Sequence, residues 1–231
     1  MTRLHLPDVT LAVADNVAHD LTALALRDCM DKVRFGEVLV ASDRVIMAGL
    51  RHVPVDFKNL ADADAFRWYG WPQHLTTSHV LIIEWDSWVL DPDCWRDEWL
   101  RLDYIGALWP WHKIDRVGNG GFSLRSTRLL QTLAAHPKRF PNWVHEDDVL
   151  CRQHRVALEC GGFEWASDAV ARQFSFEREP AQGRTFGFHG AFNWRHVLPP
   201  AALEERLALA QDNPYIASKP EWKEVEAWQA R

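Results

Sequence analysis

The chain has 231 residues, of which 47% are hydrophobic and 25% charged, the composition of an ordinary soluble globular protein long enough to bury a substantial core. Its formal net charge of −6 argues against nucleic acid as the main partner, because phosphate binding needs a basic surface. No stretch approaches the roughly 20 apolar residues of a membrane span, and the amino terminus lacks the apolar core and small-residue cleavage site of a signal peptide. Cys29, Cys94, Cys151 and Cys160 are scattered without a C-x-x-C pair, a pattern of reduced thiols. These features together predict a cytoplasmic protein.

In chain order, Val9 to Ala14 reads as a first strand that ends at Asp15-Asn16. His19 to Cys29 has the apolar spacing of an amphipathic helix. Phe35 to Ala41 is a second strand, closed by Ser42-Asp43, and Val53 to Val55 a short third one, with Pro54 suited to an edge. Asp62 to Trp71 reads as a helix. The run Val80 to Ile83 is a strand buried on both faces, and it delivers two acids, Glu84 and Asp86, at its carboxyl end. Trp95 to Leu102 is predicted as a short helix and Tyr104 to Leu108 as a strand. Glycines 118, 120 and 121 then let the backbone pass close to something bulky before strand alternation resumes at Phe122.

Thr127 to Ala135 is a helix capped by Ser126. His145 to His154 opens with the acids Glu146, Asp147 and Asp148, which a helix dipole favours in a first turn. Ser167 opens a short helix, Thr185 to Gly190 is strand-like and carries His189, and Pro200 to Ala210 is an amphipathic helix. The tail from Asp212 is expected to wrap the surface. Strands alternating with helices imply an α/β fold with a mostly parallel central sheet flanked by helices, and a ligand crevice along one rim. With no repeat or linker in sight, the expectation is one domain over residues 1–231, its core at about 9–193 and a C-terminal helix and tail at 200–231.

Each polar patch has a plain explanation: an acidic strand end, a tight turn, a solvated helix start, a core histidine. One mechanism nevertheless needs all four. A departing nucleoside diphosphate carries charge that a divalent cation on one or two carboxylates can neutralise. A late imidazole completes the shell for Mn²⁺, and a carboxylate on the other side takes the proton of an incoming hydroxyl. A glycine-lined wall lets a flat sugar face approach.

The segments LIIEWDSWVLDP, DYIGALWPW, VGNGGFSLRS, HEDDVLC and TFGFHG, in this order, resemble nucleotide-sugar-dependent glycosyltransferases of the GT-A fold, and within them a poorly characterised glycosyltransferase-like domain family. The resemblance spans about Val9 to Asn193. It implies a single-domain GT-A-like fold and a metal-dependent, inverting transfer of a hexosyl or N-acetylhexosaminyl group in glycan or polysaccharide biosynthesis. The donor would be a nucleotide-diphosphate sugar, foremost a UDP-sugar, and the acceptor a hydroxyl of a glycan or other molecule. It assigns Asp86 and His189 to Mn²⁺ or Mg²⁺, Asp147 as the catalytic base, and Glu146 to substrate hydroxyls. Glu84 departs from the usual D-x-D pattern and is expected to face the ribose or nucleobase. The rim formed by Asp15 and Asp43, with Gly120 and Gly121, completes the expected donor site. Trp109, Trp111 and Trp143 are offered as acceptor-stacking platforms, with core packing as the alternative. Two rival readings remain open: a metal-dependent phosphoesterase, and a non-catalytic carbohydrate-binding module that the 13 tryptophans would suit.

Overall fold

A computed structural model describes residues 3–141 and 145–229. The chain begins with β1 (Leu4–Ala14), α1 (His19–Lys32) and β2 (Val33–Ser42), which form a parallel β-α-β unit of the expected kind. β3 (Arg51–Pro54) and α2 (Leu60–Ala65) follow, and α2 continues into a π-helical turn at Phe66–Gly70. Next come β4 (His79–Ile83), β5 (Trp88–Val89), β6 (Tyr104–Ile105), β7 (Phe122–Ser126) and α3 (Thr127–Ala135). The remainder is built of short pieces. They are α4 (Glu146–Asp148), α5 (Arg155–Glu159), α6 (Asp168–Phe174), β8 (Ser175–Phe176), β9 (Gly187–Phe188) and α7 (Trp194–Val197). Three C-terminal helices close the chain: α8 (Pro200–Gln211), α9 (Pro214–Ala217) and α10 (Trp222–Gln229).

The main sheet has the order β3-β2-β1-β4-β7-β6. β1, β2, β3 and β4 pair in parallel, while β7 pairs antiparallel with both β4 and β6. The sheet is therefore mixed but mostly parallel, with β7 as its reversed member. All five residues of β4 are buried, as its unbroken apolar run requires of a strand covered on both faces. The chain leaves β1 toward β2 on one side and reaches β4 on the other. This reversal of direction opens a crevice beyond the carboxyl ends of β1 and β4, where Asp15 and Glu84 stand. A second small sheet, β5-β9-β8, lies over that end and brings in His189 from far along the chain.

Several boundaries differ from the sequence reading. β1 starts at Leu4, five residues early, because a register shift between Leu6 and Thr10 absorbs the exposed Pro7-Asp8 stretch. The expected helix after Pro92 is two short 3-10 turns, Pro92–Cys94 and Asp97–Arg101. The tail does more than wrap the surface: Ile216, Trp222 and Val225 are buried. Trp68, Trp71, Trp99 and Trp194 are also fully buried, so packing accounts for much of the tryptophan content.

Candidate active site

Past the end of β4 the chain makes a tight turn that is pinned to the glycine loop before β7. The Glu84 amide donates to the Gly121 carbonyl at 3.0 Å, and the Ser87 hydroxyl donates to the same carbonyl at 2.6 Å. Ser87 Oγ also accepts from the Glu84 amide at 2.9 Å. With its backbone fixed on both sides, the turn presents Glu84 and Asp86 to one cleft.

His189 reaches the same place from β9. Its Nε2 lies 3.3 Å from Asp86 Oδ1 and 3.8 Å from Glu84 Oε2. One ligand atom from each of Glu84, Asp86 and His189 falls within 4.8 Å of the others, a grouping able to hold a metal ion. Asp86 Oδ2 accepts from the Ala191 amide at 3.1 Å, whereas Asp86 Oδ1 is buried without a hydrogen-bond partner. A buried carboxylate oxygen left unsatisfied is costly. Two carboxylates and one imidazole are a donor set that fits Mn²⁺, which accepts nitrogen more readily than Mg²⁺ does. Glu84 Oε1 turns the other way, to Arg67 Nη2 at 3.1 Å. Burial alone would raise the Glu84 pKa, but Arg67, His189 and Lys219 outweigh it and hold the carboxyl at about 2. For His189, burial opposes the charged form, and the surrounding carboxylates of Asp86, Glu177 and Glu84 reverse that and lift it well above its usual value. Glu84 thus stands among the three candidate ligands and also borders the neighbouring pocket at the end of β1, where the sequence reading expects it.

Asp147 enters the same cleft from α4 (Glu146–Asp148). His145 adopts a left-handed conformation (φ 66°), and its amide donates to the buried Asp64 at 2.9 Å, which starts α4 at the cleft. Asp147 Oδ2 then accepts from the Gly120 amide at 2.8 Å and Oδ1 from the Asp148 amide at 2.9 Å. Burial and the adjacent Glu146 push the Asp147 pKa up to about 6, against the pull of these amides and of Arg125. Glu146 plays a different part. Both of its oxygens take Arg125, at 2.8 and 2.7 Å, in a pair of which neither side chain is more than 5% exposed. Arg125 also donates to Ser123 Oγ, which in turn donates to the Gly120 carbonyl. Both oxygens of Glu146 are thus engaged by Arg125 beside Asp147, while the residue also lines the cleft.

Gly120 and Gly121 do line the cleft, for a reason other than sugar approach. A Cβ at Gly121 would stand 2.3 Å from His189 Nε2, and one at Gly120 would stand 2.7 Å from Glu146 Oε1. The space is filled by the site's own side chains. Asp15 lines the adjoining pocket, but its carboxylate is committed to the Val17 and Ala18 amides and the Thr22 hydroxyl at the start of α1. Asp43 lines neither space and pairs with His19 and Arg44. Trp109 is buried over Gly118, Trp111 is 60% exposed and stacks on Trp109, and neither lines the cleft. Trp143 lies outside the described residues.

The cleft itself, about 300 Å³, gains residues that the sequence reading missed: Arg67, Glu177, Tyr215, Lys219 and Trp222. Arg67 was within reach, since Asp64 and Arg67 sit three apart on an expected helix and pair at 3.0 Å. Nothing in the tail's spacing announced Lys219. On one side the cleft meets the 220 Å³ pocket at the ends of β1 and β4, sharing Arg67, Glu84, Trp85 and Tyr215. On the other it meets a 790 Å³ groove across Glu177, Arg178 and Phe192. No described helix is long and apolar enough to cross a membrane.

A family model described as "protein of unknown function (DUF5672)" matches residues 67–189, more than half of the chain, and the chain belongs to that family. The matched span begins at Arg67 and ends at His189, so it encloses the metal set, the glycine loop and Asp147. No curated protein matches the chain. Among solved structures, a glycosyltransferase involved in glycosylation of the major capsid of PBCV-1 is similar, at 11% identity over 87% of this chain and 98% of that one, with a TM-score of 0.52. The mannosyltransferase PcManGT from Pyrobaculum calidifontis, in complex with GDP-Man and Mn²⁺, is similar at 16% identity over 97% and 77% of the two chains, with a TM-score of 0.48. The galactosyltransferase LgtC, in complex with donor and acceptor sugar analogues, is similar at 13% identity over 93% and 99%, with a TM-score of 0.46. The likeness to the first of these is one of fold, and the α/β architecture is GT-A-like, as the sequence motifs implied.

Proposed function

We propose that this member of the DUF5672 family is a metal-dependent glycosyltransferase, one that moves a sugar from a nucleoside-diphosphate donor to an acceptor hydroxyl with inversion. The observation that carries the reading is the convergence of Glu84, Asp86 and His189 in the cleft that Asp147 also lines, with Gly121 packed against His189 and Gly120 bonded to Asp147. Glu84, Asp86 and His189 would hold the cation, which when bound supplies the positive charge that stabilises the departing diphosphate.

The chain's own groups do the rest. The pocket at the ends of β1 and β4 takes the nucleoside, and Lys219, standing 4.2 Å over the Tyr215 ring at the cleft, faces the phosphates. Asp147 accepts the proton of the acceptor hydroxyl. The acceptor oxygen bonds to the anomeric carbon as that carbon's bond to the terminal phosphate oxygen breaks, and the nucleoside diphosphate leaves with the electron pair. A carboxyl with a pKa of about 6 suits a general base, being ionised at neutral pH yet more basic than an ordinary aspartate. Direct attack with a single base gives inversion. We place a UDP-sugar first among donors, with a hexosyl or N-acetylhexosaminyl group transferred in glycan or polysaccharide synthesis.

A thermal-shift screen of UDP, GDP and their sugar conjugates, with and without Mn²⁺, tests this reading. Stabilisation by at least one nucleotide only when Mn²⁺ is present is the expected result. Sugar binding with no response to nucleotide or metal would replace the enzyme with a carbohydrate-binding module.

A further inference from the structure

His189 can hold a cation through Nε2 only if Nε2 is free of its proton, and that depends on what the other ring nitrogen does. Two groups compete for Nδ1. Glu177 Oε1 lies 3.1 Å away and can only accept, while Asn119 Nδ2 lies 2.9 Å away and can only donate. If Asn119 wins, Nδ1 accepts, the proton of the neutral ring sits on Nε2 facing Asp86, and the imidazole cannot ligate. If Glu177 wins, Nδ1 carries the proton and the Nε2 lone pair points at the carboxylates of Asp86 and Glu84.

The fold ties Glu177 and His189 to each other. β8 and β9 pair in register, Phe176 opposite Phe188, so Glu177 and His189 leave the two strands side by side. The His189 amide donates to the Phe176 carbonyl at 3.0 Å, and Asn193 Nδ2 donates to the carbonyls of both Glu177 and His189, at 2.9 and 2.8 Å. The Glu177 side chain is 11% exposed, and its second oxygen is buried without a partner. No cation other than the ring balances it within ion-pair distance among the described residues.

We propose that Glu177 is the positioning residue of this site: its carboxylate accepts a hydrogen bond from the Nδ1–H of His189, outcompetes Asn119, and so fixes the ring in the tautomer that ligates through Nε2. The inference rests on the proposed metal site and goes beyond it by assigning a residue that does not touch the cation.

The experiment pairs Mn²⁺ affinity with the tautomer of His189, read by ¹⁵N NMR of histidine-labelled protein loaded with Cd²⁺ as a diamagnetic stand-in. In the natural chain His189 should be protonated at Nδ1 and ligated at Nε2. Glu177→Ala should lose about 10- to 100-fold in Mn²⁺ affinity, the size typical of a lost outer partner, and its metal-free ring, read at a pH high enough to make it neutral, should carry its one proton on Nε2. Glu177→Gln keeps an acceptor without the charge and should fall between the two, and it carries the test should the alanine variant not fold. Unchanged affinity with an unchanged Nδ1–H signal in the folded variants overturns the inference. A natural chain without Mn²⁺ affinity overturns it together with the metal assignment. Glu177-dependent Mn²⁺ binding in a chain that transfers no sugar upholds the inference and defeats only the glycosyltransferase reading.

Discussion

Replacing Asp147 by Asn separates catalysis from stability, because the structure sends the two in opposite directions. An amide cannot take the acceptor proton, and loss of a general base costs about 10²- to 10⁴-fold in turnover. The fold, by contrast, should gain. The Asp147 carboxyl titrates at about 6 in the folded chain against an ordinary 3.8, so above pH 6 its buried charge costs about 3 kcal/mol, at 1.36 kcal/mol per unit. Asn removes that cost but keeps only one of the two backbone hydrogen bonds, from Gly120 and Asp148, and forfeits about 1 kcal/mol with the other. The net gain of about 2 kcal/mol corresponds to a Tm higher by roughly 4–8 °C for a chain of this size. A raised carboxyl pKa stabilises the fold below the unfolded value and loses that contribution as pH rises through the folded one. The advantage of Asp147→Asn should accordingly shrink from pH 6 down to pH 4 and vanish below. In the natural chain, kcat/KM should climb about tenfold per pH unit up to pH 6 and then level off. Calorimetry across pH, together with radiolabelled sugar transfer, reads both halves. Turnover within a few-fold of the natural chain in a folded Asp147→Asn variant would refute the base assignment.

Four further substitutions probe the site and its surroundings. Asp86→Asn keeps an acceptor for the Ala191 amide, so the fold should survive while Mn²⁺-dependent stabilisation by nucleotide disappears; a retained Mn²⁺ response would count against the metal set. Gly121→Ala drives a methyl into His189 Nε2 and should weaken Mn²⁺ binding at least about tenfold by titration calorimetry, with unchanged affinity showing that the ring is not a ligand. Trp109→Ala should cost about 3–5 kcal/mol in denaturant unfolding because its buried ring fills the space over Gly118. Its exposed neighbour serves as the control: Trp111→Ala should change stability by no more than about 0.5 kcal/mol and leave transfer intact, and a large loss of transfer would return Trp111 to the acceptor site.

The parts of the fold that were legible in the sequence are those where local chemistry and burial agree. The run Val80 to Ile83 is apolar because β4 is covered on both faces, and α3 follows Ser126 because its hydroxyl caps the Leu129 amide. The candidate metal grouping was legible in part: motifs far apart in the chain pointed to Asp86 and His189, and β5-β9 pairing is what brings the two side chains together. What stayed hidden depends on tertiary partners. Glu146 and Asp147 are adjacent acids with the same local surroundings in sequence, and only the buried Arg125 decides which of them is spent on structure. Asp15 looks like a rim acid until the Thr22 hydroxyl and two amides are seen to occupy it. The two-residue strands β8 and β9 carry too little periodicity to show that Glu177 adjoins His189.

The distribution of charge in the cleft explains why a nucleotide should need a divalent cation there. Asp64, Glu84, Asp86, Glu146, Asp147 and Glu177 all surround the space that the proposed function gives to an anionic diphosphate. The guanidinium groups nearby are engaged: Arg125 by Glu146, Arg67 by Asp64 and Glu84, and Arg178 by Glu224. The buried pairs of Arg125 and Arg67 cannot turn to a ligand without stranding the carboxylates they neutralise, at a cost of about 3–5 kcal/mol for each broken pair. Lys219 and the partly exposed Arg178 remain, but two cations do not offset Asp86, Asp147 and the diphosphate together. The site has an excess of carboxylates over available cations, and its unsatisfied oxygen, Asp86 Oδ1, lies where that excess is concentrated. A divalent cation on Glu84, Asp86 and His189 would reverse the local sign, and nucleotide affinity and metal affinity would then be linked through the same three side chains.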